Sequence, residues 1–272
     1  MPTEIIKEFD ISVVPVGLVL DGKVYRDNLD ITCQGFFDIF HNNEWKTTTT
    51  AASPADFISV FQELGKTTND ILCILVSKAL TATQESAYLA RKITRLDINP
   101  ELNIEIIDSR SSAGALGFMV LEAARAAKAG KSMEEIKQIV QDMSTRVIYL
   151  SSIETLKYLI RTGRAFRGAA IGDMMNIKPI IGFIDDSGYI EVIARVRGKE
   201  NAIPKLVDMI KDYADIKKPL HINFHYSNRK EDAEQLQKLV TAHYKCSEVF
   251  LTEYSPVMVS TTGPMCGLSF YS

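Results

Sequence analysis

Apolar side chains along this chain recur at two spacings. Continuous apolar runs of strand length fall at residues 11–20, 70–76 and 103–107, and stretches with a period near 3.6 lie between them. Residues 2–9 read as a short helix. The run 11–20 leads into Asp21-Gly22 and then residues 23–25, a hairpin signal because this dipeptide adopts the positive φ angles of a tight turn. Ser53-Pro54-Ala55-Asp56 opens a helix, with Ser as N-cap, Pro in the first turn and an acid at the positive end of the dipole. Phe57, Val60, Phe61 and Leu64 follow at helical spacing up to Gly65. Helices are expected at 81–92 and 113–129, and Ser132 with Glu135 makes a capping box for a third. A strand at 146–150 ends this half. Apolar strands alternating with helices imply a parallel sheet covered on both faces.

Beyond residue 150 the rhythm changes. A helix at 154–161 precedes a glycine-punctuated stretch, 161–172. A strand at 177–184, a turn through Asp185-Asp186-Ser187-Gly188 and a returning strand at 189–196 come next. Helices at 203–213 and 230–244 then alternate with strands at 221–224, 249–252 and 268–271. The expected architecture is α/β with two lobes, residues 1–150 and 151–272.

With 272 residues, 46% hydrophobic and 24% charged, the chain can bury a full core. Its net charge of −3 supplies no basic field for nucleic acid. The four cysteines, Cys33, Cys73, Cys246 and Cys266, form no C-x-x-C pair. That spacing argues against a zinc ribbon or a dense disulfide frame and fits a reducing cytoplasm. The start of the chain lacks the basic-then-apolar plan of an export signal, and no run is long enough to span a bilayer. A cytoplasmic protein is expected.

Hydroxyl residues cluster between expected strands and helices: Thr47 to Thr50, Ser77 with Thr81 and Thr83, Ser109 with Ser111 and Ser112, and Ser260-Thr261-Thr262-Gly263. In open α/β sheets ligands bind at the carboxyl ends of strands, where helix N-termini favour anions. Neutral hydroxyls there suit a small anion such as a carboxylate. Ser and Thr in such places are also the usual helix caps, which is the plainer reading of any single cluster. The glycines fit neither a dinucleotide fingerprint nor a Walker loop, and there is no G-x-S-x-G elbow. His221 and His225 sit four apart without an acid at metal-ligand spacing, so packing or solvent exposure accounts for them better than a metal; His41 and His243 read as surface residues. Arg161 and Arg164 flank Gly163 at the end of a helix, either pairing with its dipole or supporting an anion site.

Taken together, several stretches resemble the DegV family, the bacterial fatty-acid-binding proteins that include the FakB carrier subunits of fatty acid kinase. They are Leu20-Asp21-Gly22-Lys23-Val24-Tyr25-Arg26-Asp27, Thr49-Thr50 ahead of Ser53-Pro54-Ala55-Asp56-Phe57, and Ile107-Asp108-Ser109-Arg110. Thr155-Leu156-Lys157-Tyr158-Leu159 through Gly163-Arg164, Asn176-Ile177-Lys178-Pro179-Ile180, Val196-Arg197-Gly198-Lys199 and Thr262-Gly263-Pro264 complete the set. The resemblance implies a two-lobed α/β protein that buries a long-chain fatty acid between its lobes, with no cofactor and no catalytic residue. It implies carboxylate contacts from Thr49, Thr50 and Thr81, an indirect contact from Arg161, and further ligand contacts from Thr261, Thr262 and Gly263. It also implies presentation of the bound acid to a separate fatty acid kinase.

This sequence departs from the family pattern in places. Thr261 stands where the family has His, Met265 where it has Gly, and Ala51-Ala52 where it has Gln-Pro. Members usually begin with a strand ending in Asp-Ser, so the first lobe is expected to lack that strand. Met174, Met175, Ile177, Ile180 and Phe183 are candidates for tunnel lining or ordinary core. The rival reading is an enzyme acting on a small carboxylated or phosphorylated metabolite, with Asp108 as its base.

Overall fold

The computed structural model describes residues 1–40, 47–164 and 176–272. After the short helix α1 (Thr3–Glu8), strands β1 (Gly17–Leu20) and β2 (Lys23–Arg26) pair antiparallel around Asp21 and Gly22, whose φ angles of 47° and 79° make the tight turn expected of Asp-Gly. Helix α2 (Cys33–Phe40) follows, and β3 (Thr47–Thr50) then pairs antiparallel with β1 to complete a three-stranded sheet in the order β2-β1-β3.

The run Thr47 to Thr50, read from sequence as a turn before a helix, is therefore itself a strand. β-Branched threonines pack well on a pleated surface. Helix α3 (Pro54–Leu64) carries the expected capping box between Ser53 and Asp56. Strands β4 (Asp70–Leu75) and β5 (Asn103–Asp108) form a two-stranded parallel sheet, separated in sequence by α4 (Thr83–Ile93). Phe57, Phe61, Ile71, Ala87, Ala90 and Ile104 are buried together as the core of this unit.

The largest sheet has six strands in the order β10-β9-β11-β6-β7-β8. They are β6 (Ile148–Ile153), β7 (Ile177–Phe183), β8 (Glu191–Arg197), β9 (Leu220–Tyr226), β10 (Cys246–Glu253) and β11 (Met265–Tyr271). Only β9 and β10 run parallel within it. Among the described strands parallel pairing is confined to β4–β5 and β9–β10, while β7 and β8, joined through residues 184–190, pair antiparallel as a hairpin.

Helices α5 (Ala113–Lys128) and α6 (Met133–Arg146) cover one face, burying Phe118, Met119, Leu121, Val140 and Met143 with Tyr149 and Tyr271. Helices α8 (Ala202–Tyr213) and α9 (Lys230–His243) cover the other, burying Leu206, Ile210, Leu236 and Val240 against Ile222, Phe224 and Leu268. Residue 150 falls inside β6, and α5 and α6 pack on the six-stranded sheet although they precede it in sequence. Ile180 and Phe183 are buried in the cores on opposite faces of this sheet, and Ile177 is half-buried at the start of β7. Met174, Met175 and His41 lie outside the described residues.

A polar network is buried under α5. The His225 ring bonds Thr252 Oγ1 and Ser269 Oγ, each at 3.0 Å, and Thr252 Oγ1 donates to Asn223 Oδ1 at 3.0 Å. Gly114 of α5 lies directly over the imidazole, where a Cβ would sit 2.4 Å from Cε1. Burial pushes the His225 pKa down to about 3, with the positive amino terminus adding to the effect. The folded state therefore holds this ring neutral while the unfolded chain protonates it near pH 6.5, so stability is full above 6.5 and falls below it. Urea unfolding should show a loss approaching about 2 kcal/mol between pH 6.5 and 5. A His225→Gln variant should show a flatter profile there, and an equally steep one would assign the loss to other groups.

Candidate functional site

Three of the four hydroxyl clusters singled out in the sequence lie on segments tied together at the end of α7 (Lys157–Arg161), whereas Ser109, Ser111 and Ser112 sit in the β5–α5 loop. The end of α7 carries Arg161 and, after Gly163, Arg164. The Arg161 guanidinium donates to the Thr47 carbonyl (3.0 Å), to Thr47 Oγ1 (3.2 Å) and to the Ser260 carbonyl (2.9 Å). It thus ties β3 to α10 (Pro256–Thr262). Arg164 donates from Nη2 to Thr49 Oγ1 (3.0 Å), from Nε to the Leu80 carbonyl (3.0 Å) and from Nη1 to the Thr162 carbonyl (3.3 Å). One guanidinium therefore holds Thr49 beside the loop that carries Thr81.

The sequence places Arg164 with Arg161 at a helix end, but no spacing rule foresees its contact to Thr49, 115 positions away. Among the described residues all its partners are neutral oxygens, and burial pulls its pKa below the usual arginine value. A partly buried cation without a counter-ion favours an anion beside it. Thr49 Oγ1 already accepts from Arg164, and among the described residues nothing takes its own proton. Thr81 Oγ1 lies 2.8 Å from Thr83 Oγ1 and accepts from the Thr83 amide (3.3 Å) at the start of α4. Arg164 thus links the Thr49 hydroxyl to the segment that leads into Thr81.

The remaining residues are placed differently. The pleat sends Thr50 to the opposite face from Thr49, where it is exposed and donates to the Ala51 carbonyl at 3.3 Å. Ser260, Thr261 and Thr262, expected ahead of a helix, instead form the last turn of α10. Their hydroxyls donate to the carbonyls of Val257 (2.8 Å for Ser260, 3.0 Å for Thr261) and Met258 (3.1 Å for Thr262). Threonines inside a helix bond back to the preceding turn, which leaves these oxygens as acceptors. Helix α10 itself had a sequence signal, Ser255-Pro256, the same grammar that opened α3. Gly263 ends it at φ 74°, ψ −166°, with its backbone against the Tyr158 ring.

Asp108, the candidate base, accepts from the backbone amides of Arg110 (2.9 Å) and Lys78 (3.3 Å) and so serves its turn. His221 pairs with Glu248 at 3.0 Å, and His243 is exposed and bonds the Leu239 carbonyl. A separate cleft of ≈ 410 Å³ is rimmed by Lys178, Lys199 and Arg229. Its cations already face Glu154 (2.7 Å from Lys178) and Asp232 (3.1 Å from both Lys199 and Arg229). Among the described residues Arg164 faces no such carboxylate, which favours its locality as the anion site. Among the described residues no group of three or more His, Cys, Asp or Glu side chains could hold a metal, and no helix is long and apolar enough to cross a membrane.

Comparisons with known proteins agree on one family. A model described as "Uncharacterised protein, DegV family" matches residues 1–272. A DegV domain-containing protein of Caldanaerobacter subterraneus subsp. tengcongensis is 36% identical over 213 residues, covering 78% of this chain and 73% of that protein. Among solved structures, a DegV family protein from Thermus thermophilus described for its fatty acid binding superposes with a TM-score of 0.91 at 26% identity. That match covers 100% of this chain and 95% of that one. DegV from Bacillus subtilis, described as a fatty acid binding protein, superposes at 0.87 with 25% identity, again over 100% and 95%. This chain belongs to the DegV family.

Proposed function

We propose that this protein binds a long-chain fatty acid, with the carboxylate at Thr49, Thr81 and Arg164 and the acyl chain running into the apolar interior. The observation that carries this reading is Arg164, a partly buried cation with neutral partners only among the described residues, which draws the two hydroxyl-bearing segments together. Fatty acid binding by the Thermus thermophilus and Bacillus subtilis relatives supports the ligand class. Arg161 acts one step back, fixing β3 and α10 around the same point.

Magnitudes favour a lipid over a small polar anion. A tail of roughly fifteen carbons contributes on the order of 10 kcal/mol before association costs, at about 0.8 kcal/mol per CH₂. Each head-group hydrogen bond adds about 1.5–3 kcal/mol. The tail sets affinity and the hydroxyls set orientation. Such a protein is a carrier: it holds the acid and presents it to a fatty acid kinase, performing no chemistry itself.

Native mass spectrometry of freshly purified protein tests this. A co-purified species with the mass of a long-chain fatty acid, displaced by added palmitate, is expected. Protein that carries no lipid and takes up none from a palmitate solution would overturn the reading.

A further inference from the structure

The turn between β7 and β8 crosses from the six-stranded sheet onto the carboxyl ends of β4 and β5, and it lands on Ser77. This serine is fully buried. Its Oγ donates to the Gly188 carbonyl at 2.8 Å across 111 positions of sequence and accepts from the Ala79 amide at 3.2 Å. The Ser77 amide donates to the Ser111 carbonyl at 2.9 Å, and the Leu80 amide to the Ser77 carbonyl at 3.0 Å. The next residue is Thr81. Gly188 holds φ at +73°, and a Cβ there would lie 2.3 Å from Ser77 Oγ, so any side chain at 188 displaces the Ser77 hydroxyl. Arg110 and Asp186 add an exposed ion pair at 3.4 Å, which contributes little.

The Thr81 loop is thus held by sequence-distant groups at two points, Gly188 through Ser77 and Arg164 through the Leu80 carbonyl. Arg164 belongs to the head-group locality. The Ser77 contact does not, since its partners are backbone groups of the loop and the hairpin.

We infer that the β7–β8 hairpin is a latch on the loop that carries Thr81, with Ser77 as its positioning residue, and that ligand enters and leaves when this latch opens. The inference rests on the head-group reading above. It predicts a change in exchange rate rather than in equilibrium affinity, because the latch closes equally over either end state and does not itself touch the ligand.

A Cβ on Gly188 would lie 3.4 Å from Ser77 Cβ, close to the roughly 3.5–4.5 Å span of a disulfide. A Ser77→Cys, Gly188→Cys pair oxidised with diamide should therefore lock the latch. The native thiols of Cys33, Cys73 and Cys266 are pushed up to about 12 by burial and stay protonated under these conditions. Displacement of a fluorescent fatty acid by excess palmitate should slow at least tenfold in the oxidised double variant and recover with dithiothreitol. The single-cysteine variants should not respond to diamide.

Should the cysteine pair fail to fold, Ser77→Ala removes the donor. It should raise the exchange rate at least threefold with the dissociation constant unchanged, a split that general destabilisation would not produce. Unchanged exchange in a mass-verified disulfide, or in Ser77→Ala, overturns the latch while leaving the binding reading intact. Wild-type protein that binds no fatty acid overturns both.

Discussion

Replacing Thr49 and Thr81 together by alanine should weaken fatty acid binding at least a hundredfold while the protein stays folded. Each hydroxyl is assigned one hydrogen bond to a carboxylate, worth about 1.5–3 kcal/mol, and two such losses correspond to a factor of about 10²–10⁴. Binding should not vanish, because the acyl chain supplies the larger part of the free energy. Stability should change little. Thr49 Oγ1 receives one bond from Arg164, and Thr81 Oγ1 bonds the Thr83 hydroxyl and accepts from the Thr83 amide, so each substitution removes about 1–2 kcal/mol. Calorimetric titration with palmitate reads the first quantity and urea unfolding the second. Unchanged affinity in the folded double variant would remove both threonines from the head-group site.

The second large effect is structural. Gly263→Ala should destabilise the protein by about 2–5 kcal/mol, lowering its melting temperature by roughly 5–15 °C. At φ 74°, ψ −166° the backbone occupies a region essentially restricted to glycine. A Cβ would also sit 2.3 Å from the edge of the Tyr158 ring. That ring belongs to α7, one turn before Arg161, so the strain would reach the arginines that gather the site. A scanning calorimetry trace matching that of the wild type would show that Tyr158 moves aside without cost.

These two sites differ in how far the sequence revealed them. Local grammar was legible wherever the determinants are local: the Asp21-Gly22 turn, the Ser53 and Ser132 capping boxes, and the strand-length runs that became β4 and β5. Helix α10 has a local start signal in Ser255-Pro256, but Val257, Val259, Thr261 and Thr262 are β-branched and lower its helix propensity. The helix forms through its context: Ser255 caps it, Asp27 Oδ1 accepts from the Val257 amide at 3.0 Å, and Val259 is buried.

The position of α10 decides the chemistry. Thr261 and Thr262 offer free hydroxyls only if they precede a helix, and inside α10 both donate to the preceding turn. The convergence of Thr49 with the Thr81 loop was beyond pattern reading altogether, since it depends on where one arginine side chain lands after two sheets have packed. Parallel pairing was over-extended for a related reason: apolar runs report burial on both faces, and central antiparallel strands such as β11 and β6 are equally buried.

A crystal structure of the protein with bound palmitate tests the central claim most directly. The account requires the carboxylate oxygens within about 3 Å of Thr49 Oγ1 and Thr81 Oγ1, beside the Arg164 guanidinium, with the acyl chain leading inward. A carboxylate seated instead in the Lys178–Lys199–Arg229 cleft, or turned out to solvent with the tail alone enclosed, would contradict it.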